Sequence, residues 1–139
     1  MGMRKGDWSL IAAVGAAGAL GALARYFAGL GASWIWGEPL PWGTLVVNLS
    51  GCMLLGFMTN WLSNHIHWPA WIAPVLGTGF IGSYTTFSTL SAEMLLWLQQ
   101  GRWGIAILYV LVSALGGLAA IIIGWNAAER LSSQRRESK

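Results

Sequence analysis

The chain has 139 residues, of which 55% are hydrophobic and only 9% charged, against roughly 25% charged in an average soluble domain. So few charges cannot cover a water-facing surface, which excludes an ordinary soluble domain, and the length confines the chain to one domain. The net charge of +3 sits mostly at the two ends, with no basic patch interleaved with exposed aromatics, which fits anionic headgroups and argues against nucleic acid.

The 10 Trp define the elements. Trp8 and Trp34 bracket a first apolar run, Trp42 and Trp61 a second, Trp71 and Trp97 a third, Trp103 and Trp125 a fourth. Trp favours the bilayer interface, where its ring is half apolar and its N–H meets headgroups or water. Each bracket encloses enough apolar chain to cross a hydrocarbon core of roughly 30 Å. A soluble helical bundle with aromatic-rich ends is the weaker alternative. The spacing predicts an all-α membrane protein of four transmembrane helices, residues 1–128, followed by a polar tail over residues 129–139 that is a frayed helix end or disordered.

The first helix is predicted from about Ser9 to Leu30. Arg4 and Lys5 before an Ala-rich run resemble a signal peptide, but the run is long enough to span and three more follow. Gly15, Gly18, Ala19, Gly21 and Ala22 allow close backbone approach. Arg25 snorkels to the interface or anchors a helix contact. The second helix is predicted from Trp42, after Pro41, to Leu62. On it Thr44 and Asn48, four apart, share a face. Read alone, Asn48 makes a helix–helix hydrogen bond. Cys52 is a lone thiol suited to packing. His65 and His67 lie in a loop without Cys or acid partners, too weak a pattern for a metal site.

The third segment lies between Pro69 and Gln99. A continuous helix from Trp71 to Trp97 would rise about 39 Å, more than a span requires. Its centre reads Gly77-Thr78-Gly79-Phe80-Ile81-Gly82-Ser83-Tyr84-Thr85-Thr86-Phe87-Ser88-Thr89. Glycine weakens a helix interior by about 1 kcal/mol relative to Ala, and hydroxyls compete for backbone groups. A break at mid-membrane is the stronger reading, since non-helical backbone at that depth survives where it lines a wet or ion-filled cavity. A continuous helix with a Ser/Thr packing face is the alternative. Glu93 follows Phe87 by about 9 Å of helix and is either a functional acid or one that merely reaches an aqueous vestibule. The fourth helix is predicted from Arg102 to about Ala128. Tyr109, Ser113 and Gly117 form a stripe on it, which read alone is packing. Short loops make sequential helices antiparallel neighbours. No paired acids, nucleophile with a base, or phosphate loop is present, which excludes the common enzyme classes.

Three stretches converge on one family: GALGALARY (Gly18 to Tyr26), WGTLVVNLSG (Trp42 to Gly51) and GFIGSYTTFSTLSAE (Gly79 to Glu93). Together they resemble the CrcB/Fluc fluoride channels over essentially the whole chain. The resemblance implies an antiparallel, dual-topology homodimer with two narrow pores and a structural sodium ion at its centre. It places that ion on the backbone carbonyls of Gly82 and Thr85, and it places Asn48, Phe87, Ser88, Thr89, Leu90, Tyr109 and Ser113 along the fluoride path. Glu93 matches an acid at the vestibule. It also implies a multi-pass protein of the cell (inner or plasma) membrane that lets cytoplasmic fluoride leave down its electrochemical gradient.

Leu90 departs from the family pattern, which has a second pore phenylalanine there. Leucine has no quadrupole to meet an anion edge-on. Leu90→Phe is expected to keep the fold and to maintain or raise flux. Topology adds a tension. The side holding both termini carries Arg4, Lys5, Arg130, Arg135, Arg136 and Lys139, whereas the other carries Arg102 and, by one reading, Arg25. Positive-inside counting favours one orientation, and an antiparallel homodimer needs two. A paralogous heterodimer is therefore the alternative to the homodimer. Rival functions are a proton-coupled small multidrug resistance type exporter, which needs an acid inside the first helix that this chain lacks, and a non-conducting subunit.

Overall fold

The computed structural model describes residues 5–37, 41–64 and 68–137. His65 and His67 lie outside this range. Among the described residues every regular element is helical and none is a strand. Helix α1 spans Lys5–Trp36, α2 Trp42–Asn64, α3 the single turn Gly82–Tyr84, α4 Phe87–Gln99 and α5 Trp103–Glu137, with a π-helical stretch over Pro74–Ile81 before α3.

Among the described residues, three helices are long and apolar enough to cross a membrane: α1, α2 and α5. The predicted third span does not form one such helix. Its chain is divided among the π-helix, α3 and α4, and Thr85 and Thr86 between them have extended backbone. The local cause is visible in composition. Pro74 supplies no N–H, and Gly77, Gly79 and Gly82 weaken the ladder that follows.

Helices α1 and α5 are both longer than the sequence expectation. Helix α1 begins four residues earlier than Ser9 and runs on to Trp36. Helix α5 does not end at Ala128 but continues to Glu137, through the residues read as a polar tail. Helix-forming Ala127, Ala128, Glu129, Arg130 and Leu131 continue the ladder there. Ala128 and Ser132 are buried, so one face of this stretch packs against the bundle while Glu129, Arg130 and Leu131 are exposed.

The bundle is inside-out relative to a soluble protein. Its buried apolar residues are mostly small, including Ala17, Ala32, Val47, Ala106 and Ala128, while Trp34, Phe27, Leu115 and Ile123 face outward. Small interior residues let backbones touch, as membrane packing favours. Helices α2 and α5 make the most extensive contact. A Cβ at Gly56 would run into the Ile121 carbonyl, and one at Gly124 into the Met53 carbonyl. Thr44 of α2 and Tyr109 of α5 meet on Glu93, Leu49 lies against Gly116 and Gly56 against Ile121, positions that rise together, so α2 and α5 run parallel. This pairing is between non-sequential helices, which the short-loop expectation did not foresee. Loop length constrains only sequential neighbours.

Candidate functional site

The site is built around the interruption at Thr85 and Thr86. In a continuous helix the Thr86 N–H would donate to the Gly82 carbonyl. It donates instead to Asn48 Oδ1 on α2, at 2.7 Å. The same amide returns a bond, Nδ2 to the Thr86 carbonyl at 2.8 Å. Thr86 is buried, and a buried peptide group left unpaired costs roughly 1–3 kcal/mol. Asn48 thus supplies the partners that the helix has given up.

Thr86 also starts the next helix. Its Oγ1 accepts from the Thr89 N–H at 3.2 Å, the N-cap of α4. Hydroxyls gather on that oxygen, with Thr89 Oγ1 at 2.9 Å and Ser88 Oγ at 3.2 Å. The capping bond diverts the donor that a continuous helix would have directed to the Thr85 carbonyl. Tyr84, on the other side of the interruption, ties to α2 through Ser50 Oγ at 2.9 Å, and its ring stacks on Phe80.

About two turns beyond Thr86, Glu93 of α4 joins three helices. Its Oε1 accepts from Thr44 Oγ1 of α2 at 2.8 Å and its Oε2 from the Tyr109 hydroxyl of α5 at 2.6 Å. Thr44 and Tyr109 are both buried. Trp97 meets the Tyr109 ring edge to face, centroids 5.1 Å apart at 83°, and fixes its direction.

A cavity of about 660 Å³ opens onto these groups. Thr44, Thr86, Thr89 and Glu93 line it together with Arg25 and Arg102. Its walls are the end of α1, the start of α2 and the end of α4, so it lies at the end of the bundle away from both chain termini.

Known proteins give this arrangement its context. A family model described as CrcB-like protein, Camphor Resistance (CrcB), matches residues 12–125. The chain belongs to the CrcB/FluC family. It is 45% identical over 118 residues, 85% of its own length and 86% of the relative's, to fluoride-specific ion channel FluC 1 of Bacillus anthracis. It is 46% identical over 119 residues to FluC 2 of Geobacillus kaustophilus, covering 84% of this chain and 91% of that one. Over 115 residues it is 49% identical to FluC of Gloeobacter violaceus, covering 82% and 91%. These relatives are named as ion channels, not enzymes. With its long apolar helices, the chain is a multi-span membrane protein of this family.

The residues singled out from the family stretches do not all meet. Asn48, Ser88 and Thr89 converge on Thr86, and Glu93 converges with Tyr109. Ser113 Oγ is buried without a hydrogen-bond partner among the described residues. Phe87 is 81% exposed and does not line the cavity. Leu90 is buried against Trp97, Ala106 and Tyr109. Gly82 is exposed, and Thr85 is half-buried with its hydroxyl bonded back to the Ile81 carbonyl. Sequence reasoning missed two site residues. Thr86 lay inside the recognised hydroxyl cluster, and Thr44 had been placed on the Asn48 face without a role. Arg25, expected to snorkel to the interface or anchor a helix contact, lines the cavity. Nothing in the linear sequence marks it as a neighbour of Arg102.

Proposed function

We propose that the chain forms a fluoride-selective channel of the cell membrane. The observation that carries this reading is the convergence of hydroxyl and amide groups from α2, α4 and α5 below an open cavity in a chain of the CrcB/FluC family. Fluoride is small and strongly hydrated, so donors fixed in a tight passage must replace its water. Thr44, Thr86, Ser88 and Thr89 offer hydroxyl groups and Asn48 an amide beside the interruption. Ser113, whose buried oxygen has no partner among the described residues, is a further donor for the passing anion.

In this reading the interrupted segment from the π-helix through α4 is a fourth span, broken at mid-membrane. Two chains assemble antiparallel, giving two pores per dimer. Phe87 is then a surface ring of one chain that a second copy would enclose, its positive edge turned to the anion. The carbonyls of exposed Gly82 and half-buried Thr85, beside the break, are candidates for a structural sodium ion. The usual helical donors to the Gly82 and Thr85 carbonyls are engaged elsewhere, by Asn48 and by the Thr86 hydroxyl. Neutral, hard carbonyl oxygens suit a monovalent hard cation, and Gly82 and Thr85 would hold it. Such a cation supplies fixed positive charge beside the anion passages, where screening is weak. Fluoride enters cells as HF, ionises, and leaves through the channel down its electrochemical gradient.

Reconstitution of this chain alone into liposomes, followed with a fluoride electrode, tests the reading. Rapid fluoride efflux with little chloride efflux is expected. Equal flux of the two halides overturns selectivity, and flux that requires a proton gradient points to an exporter.

A further inference from the structure

We propose that Arg102 is a capture residue that concentrates a small hydrated anion at the mouth of the cavity, a role that rests on the fluoride-channel reading above and lies outside the motif stretches that define the family. Arg102 lines the same cavity as Thr44, Thr86, Thr89 and Glu93, on its outer side, between the end of α4 and the start of α5.

Its position is built. The turn after α4 is a Schellman motif. Gly101 adopts φ +73°, its N–H donates to the Leu98 carbonyl at 3.0 Å, and the Arg102 N–H donates to the Trp97 carbonyl at 2.9 Å. Arg102 then accepts from the Ala106 N–H at 3.2 Å as α5 begins. Trp97, the anchor of that turn, is buried and packs on Tyr109, which holds Glu93. The backbone carrying the guanidinium is therefore tied to the acid below it.

The charge pattern at the mouth favours an anion. The C-terminal carbonyls of a helix carry partial negative charge that would repel it. Here the Leu96, Trp97 and Leu98 carbonyls are all engaged by N–H groups of the turn. Among the described residues, the charged side chains lining the cavity are Arg25, Arg102 and Glu93. Both Glu93 oxygens face inward to hydroxyl donors, and the cations among the described lining residues are Arg25 and Arg102. A cleft lined by one sign of charge between low-dielectric walls focuses the field and raises the local concentration of the opposite ion.

The test is fluoride efflux from liposomes at fluoride well below saturation, at low ionic strength and then with an inert salt of a large anion. Arg102→Gln is expected to slow efflux about threefold or more at low ionic strength. Arg102→Lys should restore most of it, and Arg102→Glu should slow it further. Added salt should slow the parent until it approaches Arg102→Gln as the Debye length falls towards about 3 Å at 1 M. Parental efflux from Arg102→Gln at low ionic strength overturns the proposal. So does a deficit that ignores salt, or one that lysine does not repair, because packing and not charge would then be at work. Should the parent itself pass no fluoride, the channel reading fails and this role goes with it.

Discussion

The Asn48 side chain stands in for a peptide group: its two amide atoms bond the N–H and the carbonyl of Thr86, at 2.7 and 2.8 Å, across 38 residues of sequence. The interruption in the helical ladder is thereby paired and not merely tolerated.

Substitutions at Asn48 should for that reason damage fold and flux together. Asn48→Asp keeps one acceptor but loses the donor to Thr86 and adds a negative charge near the anion. Fluoride efflux should be abolished. Asn48→Ala should also lower the thermal midpoint in detergent, since it strands two buried groups at roughly 1–3 kcal/mol each. An Asn48→Ala protein as stable as the parent would show that Thr86 finds other partners.

Tyr109→Phe removes one of the two hydroxyl donors to Glu93. An intramolecular hydrogen bond contributes about 0.5–1.5 kcal/mol, so a measurable loss of stability and slower efflux are expected. Because the ring still packs edge-on with Trp97, the helical content by circular dichroism should be unchanged.

Phe87 and Leu90 should respond oppositely. Phe87→Ile alters a ring that is 81% exposed on the single chain, so efflux should fall strongly while the chain folds normally. Leu90→Phe, expected from the sequence to leave the fold intact, places a larger side chain into a site only 9% exposed. Overpacking of this kind costs about 1–3 kcal/mol. Its thermal midpoint should drop, and an unchanged midpoint would mean that α4 and α5 can separate to admit the ring.

Gly82→Val separates packing within a chain from pairing between chains. A Cβ at Gly82 meets only the Gly77 carbonyl oxygen at 3.5 Å, an ordinary contact. The variant should retain its helical content yet dimerise more weakly, read by cross-linking at dilution in lipid. Gly21→Val is the contrast. Its Cβ would run into the Phe80 backbone, so it should misfold outright. Replacing sodium with a bulky organic cation should weaken the parent dimer in the same assay. If Gly82→Val dimerises like the parent, that face is not the contact between chains.

The class of protein and the place where its helical order fails were legible in the sequence, because both depend on local properties. Apolar content over twenty residues decides whether a helix can enter a bilayer, and glycine and hydroxyl density decides where its ladder is weakest. The three stretches around Arg25, Asn48 and Phe87 were likewise enough to indicate the family. What the tertiary structure alone decided is who partners whom. Hydrogen bonding is satisfied across helices. No local property of Asn48 selects Thr86, and none of Glu93 selects Thr44 and Tyr109. The parallel contact of α2 with α5 follows from glycines that let backbones meet, and it turns Tyr109 inward. Leu90 and Phe87 lie three apart on one face of α4, yet Leu90 is buried against Tyr109 of α5 and Phe87, at the very start of the helix, is exposed. Arg25 and Arg102 share one cavity because helix ends distant in sequence open at the same end of the bundle.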